Sequence, residues 1–181
     1  MHALKFLNAV AGLAMEVDYE KVERITAKIA STAGRIYIIG LGGSLANAIH
    51  MAADLRKLCE IDAEAFDNLA ELTARANDEG LDSIFDGWLS RATEHDGLFV
   101  LSVGGGTVSV SPGIDRAVRR FPGWVGGIVG PVGGTTAEIG EWTIRVPAID
   151  SWVTPLTESF QAVIWHCMVS DPMLQKNRTK W

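Results

Sequence analysis

Two pairs of acid–base residues are spaced so that the members of each pair share one helix face. His50 and Asp54 are four residues apart in an apolar stretch that is typical of a helix. Glu158 and His166 are eight residues apart in a second such stretch, which separates them by only about 80° around a helix of 3.6 residues per turn. Imidazole and carboxylate groups hold metal ions and transfer protons, so these positions are candidates for a metal or acid–base site.

A glycine-rich turn precedes the first of these helices. The apolar run 36–39 predicts a buried strand, and Gly40, Gly42 and Gly43 predict a tight turn after it. Ser44 is the predicted N-cap of the following helix, whose free N–H groups suit an anion such as a phosphate. The dinucleotide fingerprint and the P-loop motif are both absent, so the turn alone is equally compatible with an ordinary strand–helix connection.

A second unit of the same kind lies in the middle of the chain. The run 98–102 predicts a buried strand, a triple-glycine loop follows it, and Ser111-Pro112 predicts the start of another helix. In an open parallel sheet the two loops would lie at the carboxyl ends of their strands, where such sheets bind ligands. The repetition favours a phosphate site. Four hydroxyl residues of this unit could contribute: Ser102, Thr107, Ser109 and Ser111.

The remaining elements alternate in a way that predicts an α/β sandwich with a parallel sheet covered on both faces. Apolar stripes predict an N-terminal helical region over 3–33, broken near Val17–Asp18, and cover by a neighbouring subunit is one explanation for its apolar surface. We expect one domain over 1–181, with a core at 34–172 and a polar tail at 173–181 that packs on a neighbour or extends into solvent. The other predicted strands are 63–67, 124–129 and 142–146, and the other predicted helices are 69–76, 83–94, 135–140 and 154–169.

Composition excludes several classes of function. The 181 residues are 48% hydrophobic and 21% charged, and the formal net charge is −6, which argues against nucleic acid as a partner. No apolar run approaches the ~20 residues of a membrane span, and the N-terminus lacks the basic segment of a signal peptide. The two cysteines fit no metal motif or disulfide framework, so we expect reduced thiols and a cytoplasmic location.

Five motifs occur along the chain: GxGGSxANAxH-x3-D, LTARAND, LSVGGG…SP, GIVGPVGGTTA and TExFQAVxWH. Together they resemble the sugar isomerase (SIS) domain family and, within it, the phosphoheptose isomerases. The resemblance covers roughly residues 35–170 and implies a flavodoxin-like sheet, a homotetramer with active sites between subunits, and an aldose–ketose isomerisation of a sugar phosphate.

The resemblance also implies roles for individual residues. It makes Asp54 and His166 catalytic. An aldose–ketose isomerisation needs a base near the carbon and an acid for the oxygens, so we expect Asp54 or Glu158 to be the base and His166 the acid. Some family members bind zinc, which implies Zn²⁺ held by His50, Asp54, Glu158 and His166. The resemblance places phosphate-binding hydroxyls at Ser44, Ser102 and Ser111 and matches Asn77 and Asp78 to a family pair. With Asn47 and the N–H groups of the glycine loops, the predicted substrate-binding set is Gly43, Ser44, Asn47, Asn77, Asp78, Ser102, Gly104, Gly105 and Ser111.

Four departures from the family pattern indicate a divergent subgroup and leave the substrate open. Asp54 replaces a glutamate, Glu158 a glutamine and Leu41 an asparagine, and the second glycine loop is longer. A specialised isomerase of another ketose phosphate and a non-catalytic sugar-phosphate sensor are therefore alternatives to a heptose isomerase. A further alternative places the four acid–base residues in a hydrogen-bonded core, as the pairs Asp54–His166 and Glu158–His50.

Overall fold

The computed structural model describes residues 1–149 and 152–179, and within these ranges eight helices surround a five-stranded sheet. None of the helices in the described ranges has the length and apolar character needed to cross a membrane. The helices are α1 His2–Glu16, α2 Tyr19–Ala30, α3 Gly43–Cys59, α4 Leu69–Asp78, α5 Asp86–Leu89, α6 Pro112–Arg120, α7 Gly134–Ile139 and α8 Val153–Val169. The strands are β1 Ile36–Ile39, β2 Ala63–Ala65, β3 Gly97–Ser102, β4 Trp124–Val129 and β5 Trp142–Arg145.

The sheet is parallel throughout, with strand order β2-β1-β3-β4-β5. This is the flavodoxin-like order that the resemblance implies, in which ligands bind beyond the carboxyl ends of the strands where the strand order reverses. Here the reversal lies between β1 and β3, whose register pairs Ile36 with Gly97 and Ile39 with Val100. The two glycine loops follow these two strands, so the topology brings both loops to the same edge of the sheet.

The two faces of the sheet are covered by different helices, because successive side chains of a strand point to opposite faces. Ile36 and Ile38 pack in one hydrophobic core with residues of α2, α3 and α8. Tyr37 and Ile39 pack in the other core, with residues of α6 and of the segment before α5. Leu13 of α1 is fully buried in the first core. The predicted three-layer α/β architecture is confirmed.

Several predicted boundaries need correction. Helix α3 begins at Gly43 with Gly42 as its N-cap, so the prediction of Ser44 as N-cap was wrong. Gly42 can take this place because it lacks a side chain and adopts a positive φ of 62°. The helix predicted over 83–94 is reduced to the single turn α5. This turn contains Gly87, where the side chain of Arg75 packs so closely that a Cβ would collide with its guanidinium. Helix α4 continues through Asp78, and β2 ends at Ala65.

The C-terminal tail packs on its own chain as far as it is described. Leu174 is buried, and the backbone N–H groups of Lys176 and Asn177 donate to the carbonyl oxygen of Leu58, near the end of α3. The side-chain amide of Asn177 also donates to the carbonyl of Lys57, at 3.2 Å. These bonds satisfy a helix C-terminus that would otherwise lack partners.

Candidate functional site

The second glycine loop presents two hydroxyl groups whose oxygens are already used as acceptors. Ser102, at the end of β3, accepts from the backbone N–H of Gly105 at 3.0 Å. Ser111, directly before α6, accepts from the backbone N–H of Thr107 at 3.3 Å. Neither hydroxyl donates to an acceptor within the described ranges, so both hydrogens are available to an incoming anion. Gly104 lies between them, and a Cβ there would have no neighbour within 4 Å.

The start of α7 holds this loop in place. The backbone N–H and the hydroxyl of Thr136 both donate to the carbonyl of Gly105, at 2.9 and 2.7 Å. The backbone N–H of Thr135 donates to the carbonyl of Gly106 at 2.8 Å. Gly105 and Gly106 have positive φ angles of 69° and 83°, a conformation that glycine adopts without strain. No role for either threonine was predicted from the sequence, in which the only signal for them is the TT pair in the motif GIVGPVGGTTA.

The first glycine loop faces a carboxylate from α8. The Ser44 hydroxyl lies 3.4 Å from Glu158 Oε1, and Ser44 is almost fully buried, at 2% exposure. A Cβ at Gly43 would lie 2.5 Å from Glu158 Oε2 and 2.8 Å from its Oε1. The N-terminal end of α3 carries a positive partial charge, so it stabilises this carboxylate.

Two side-chain amides join α3 to α8 behind this contact. Asn47 Nδ2 donates to the carbonyl of Glu158 at 2.9 Å and to Gln161 Oε1 at 3.0 Å. Gln161 Nε2 donates to Ser44 Oγ at 3.1 Å and to the carbonyl of Ile128 at 3.4 Å. Gln161 is fully buried, and it was not among the predicted site residues.

Three of the four predicted metal ligands come together where α3, with His50 and Asp54, packs on α8, with His166. His50 Nε2 and His166 Nε2 lie 3.7 and 3.9 Å from the same oxygen of Asp54. The imidazoles are about half exposed and the Asp54 side chain is 18% exposed, so the group is open to ligands. Glu158 does not belong to this group within the described ranges.

The geometry of this triad fits a zinc ion. The three ligand atoms all lie within 4.8 Å of one another. Donors at the ~2.0–2.2 Å of zinc–nitrogen and zinc–oxygen bonds lie about 3.4 Å apart in a tetrahedron, so small side-chain rotations would close the site. Two imidazoles and one carboxylate are also a donor set found in catalytic zinc sites, which leave a position open for substrate.

The remaining predicted substrate ligands are on the surface. Asn77 and Asp78 are exposed at the end of α4, where Asn77 Nδ2 donates to Asp78 Oδ1 at 2.7 Å. Within the described ranges no hydrogen bond or ion pair joins these two side chains to the triad or to either glycine loop. Their part in binding therefore stays a prediction.

Comparisons with known proteins identify the family to which this chain belongs. No protein-family model matches the chain. It is 32% identical to the phosphoheptose isomerase of Rhodospirillum rubrum over 151 residues, covering 80% of this chain and 78% of that protein. It is 36% identical to the phosphoheptose isomerase of Mycobacterium tuberculosis over 124 residues, covering 65% and 63%. The phosphoheptose isomerase structure from Neisseria gonorrhoeae shares the fold, with a TM-score of 0.79, 22% identity and coverage of 93% and 96%. The chain belongs to the phosphoheptose isomerase family.

Proposed function

We propose that the protein interconverts sedoheptulose 7-phosphate and an aldoheptose 7-phosphate through an enediol. Family membership makes the chain a phosphosugar isomerase, and our proposal adds that its substrate is a heptose phosphate. Two features of the structure support this proposal. The loop after β3 presents the free hydroxyl hydrogens of Ser102 and Ser111, and a triad that is open to ligands lies on α3 and α8. A phosphate anchored at the loop would leave the carbonyl end of the sugar free to reach the triad.

The residues divide the reaction between binding and proton transfer. Ser102, Ser111 and the backbone N–H of Gly104 bind the phosphate, and this remote binding energy orients the reacting carbons. The N–H of Gly105 donates to Ser102 and so holds that hydroxyl in place. Glu158 is the base, which removes a proton from the carbon beside the carbonyl and returns it to the neighbouring carbon. We assign this role to Glu158 because Asp54 is already part of the triad.

The triad would hold Zn²⁺. When bound by His50, Asp54 and His166, zinc would act as a Lewis acid that polarises the substrate carbonyl. If the protein works without metal, His166 is the acid and Asp54 is available as a second carboxylate. The family's fourth ligand falls on Glu158, which would have to leave Ser44 to join the other three.

We also propose that the enzyme is a cytoplasmic homotetramer with active sites between subunits, as the resemblance implies. Exposed apolar residues on α1 support an association surface: Leu4 and Leu7 are 54% and 63% exposed. Asn77 and Asp78 would then bind substrate hydroxyls from a neighbouring subunit. Both thiols are free, as expected for a reducing compartment.

One observation favours another ketose phosphate as the substrate. The second loop is longer than in the family pattern, and it exposes Val108 and Val110, at 74% and 80%. Apolar groups beside a phosphate loop suit a less hydroxylated sugar than a heptose. Leu41, at a position where the family has asparagine, also favours a less hydroxylated substrate.

Metal content and turnover test these proposals together. The purified protein is assayed with sedoheptulose 7-phosphate and shorter ketose phosphates, before and after chelation, and its zinc is quantified. Stoichiometric zinc and activity that is lost on chelation and restored by zinc are expected. Activity without metal would refute the zinc assignment. Turnover of only a shorter ketose phosphate would refute the heptose substrate. Binding without turnover of any sugar phosphate would make the protein a sensor.

A further inference from the structure

The three serines of the predicted phosphate site differ in where their hydroxyl hydrogens point. Ser102 and Ser111 accept from loop N–H groups and donate to no acceptor within the described ranges. Ser44 accepts as well, from Gln161, but its hydrogen already has an acceptor in Glu158 Oε1. The hydroxyl hydrogen of Ser44 is therefore already bonded within the protein, whereas those of Ser102 and Ser111 are free to bind a ligand.

The direction of this hydrogen bond follows from the two amides behind it. A backbone carbonyl can only accept, so the contact of Asn47 with the Glu158 carbonyl identifies its Nδ2, and the contact of Gln161 with the Ile128 carbonyl identifies its Nε2. The second N–H of Asn47 Nδ2 donates to Gln161 Oε1, and the second N–H of Gln161 Nε2 donates to Ser44 Oγ. Ser44 must then donate onward, and Glu158 receives the hydrogen.

The same carboxylate occupies the place that a phosphate would take at the first loop. It lies against Gly43 so closely that a methyl group there would meet both of its oxygens and its Cδ within 2.8 Å. Ser44 is 2% exposed beneath it. A phosphate could reach Ser44 only by displacing Glu158, and two anions on one helix end would repel each other.

We infer that the first glycine loop and Ser44 position Glu158 instead of binding the substrate phosphate, with Gln161 as the positioning residue that directs the Ser44 hydroxyl. The phosphate is then held by the second loop alone. The inference rests on the proposed function, in which Glu158 is the base and Ser111 a phosphate ligand. It gives Gln161 a role, and it separates this chain from the family pattern, which places a phosphate-binding serine at position 44.

Three substitutions test the inference through two readouts: the affinity for inorganic phosphate, measured by calorimetry, and kcat and KM for sedoheptulose 7-phosphate. Ser44→Ala and Gln161→Met should each lower kcat by roughly 10- to 100-fold, because a base misplaced by about 1 Å costs that much. Both should leave phosphate affinity within about two-fold of wild type, since the second loop is unchanged. Ser111→Ala should instead weaken phosphate binding and raise KM about 10-fold, the cost of a hydrogen bond to a charged group.

The double variant Ser44→Ala/Gln161→Met separates positioning from simple packing. If Gln161 acts through Ser44, the double variant has the kcat of either single variant, whereas independent packing defects would multiply. Thermal midpoints are recorded for all variants, so that kcat is compared per folded protein.

Each outcome decides between the inference and the function on which it rests. Phosphate affinity that falls as far in Ser44→Ala as in Ser111→Ala would overturn the inference and leave the isomerase function standing. Multiplying kcat losses would overturn the role of Gln161. Wild-type protein that binds phosphate but turns over no sugar phosphate would overturn the proposed function. The phosphate affinities of Ser44→Ala and Ser111→Ala would then still decide whether Ser44 binds phosphate. Wild-type protein that binds no phosphate would overturn both.

Discussion

Asp96 is a buried carboxylate whose removal should destabilise the fold by a predictable amount. It joins the start of β1 to the turn before β3: Oδ1 accepts from the backbone N–H of Arg35 at 2.6 Å, and Oδ2 accepts from the backbone N–H and hydroxyl of Thr93 at 2.7 and 2.9 Å. Asp96→Asn puts an NH2 group in place of one oxygen, so in either orientation of the amide one backbone N–H faces another donor, and the remaining bonds lose the carboxylate charge. Together these losses should lower the free energy of unfolding by about 3 kcal/mol.

This loss should appear as a thermal midpoint about 6–12 °C lower, given the 2–4 °C per kcal/mol that is typical of a domain of this size. Urea titrations followed by tryptophan fluorescence would measure the free energy itself. Asp67→Asn is the matched control, because Asp67 is exposed and has no hydrogen bond or ion pair among the described residues. A drop below about 2 °C for Asp96→Asn would refute the hydrogen-bond accounting.

The same variant should also change the pH dependence of stability. Burial on its own would raise the pKa of Asp96, but the donors of Thr93 and Arg35 outweigh it and hold the pKa below the ordinary 3.8. Because the folded-state pKa is the lower one, the stabilisation is fully present above pH 3.8 and is lost as the pH falls through the folded-state value. The difference between wild type and Asp96→Asn should therefore be constant from pH 5 to 8 and shrink in acid. A difference that grows below pH 3.8 would contradict this sign.

Three further predictions follow from other positions. Gly12→Ala should raise the free energy of unfolding by about 0.5–1 kcal/mol, because Gly12 lies inside α1 and a Cβ there has no neighbour within 4 Å; a lower urea midpoint would contradict it. Cys167 is exposed and should react with a thiol reagent at pH 8 within minutes, whereas burial, with a smaller effect of the Asp54 charge, raises the pKa of Cys59 to about 11 and should leave it unreactive until urea unfolds the chain. Two fast thiols in native protein would refute the burial of Cys59. Gly43→Ala should lower kcat, because its Cβ would push the Glu158 carboxylate off the start of α3; unchanged kcat would remove Glu158 from the mechanism.

The parts of the fold that were predictable from sequence depend on local patterns. Apolar runs followed by glycine-rich loops identified β1 and β3, and helix-spaced apolar residues identified the break between α1 and α2. The His50–Asp54 pair was also local, because four residues on a helix fix their own separation.

The contacts that sequence reasoning missed join distant parts of the chain. Gln161 reaches Ser44 across 117 positions, and no local pattern distinguishes a buried glutamine that orients a hydroxyl from one that merely fills space. Asn177 reaches Lys57 across 120 positions, so the tail expected to lie on a neighbour or in solvent packs on α3 instead. The N-cap prediction failed for a local reason, since Gly42 and Ser44 are both acceptable caps and only the backbone decides between them.

The two outermost strands have a consequence for how copies of this protein can associate. β2 has three residues and β5 has four, so the margins of the sheet offer few unpaired backbone groups to another chain. Glu64, in the middle of β2, carries a charge that is paired with Arg35 at 2.7 Å. Short, charged margins discourage the strand-to-strand joining that leads to aggregation. The fully buried strands β1 and β3 lie inside the sheet, and copies of the chain should therefore meet through their helices rather than by extending the sheet.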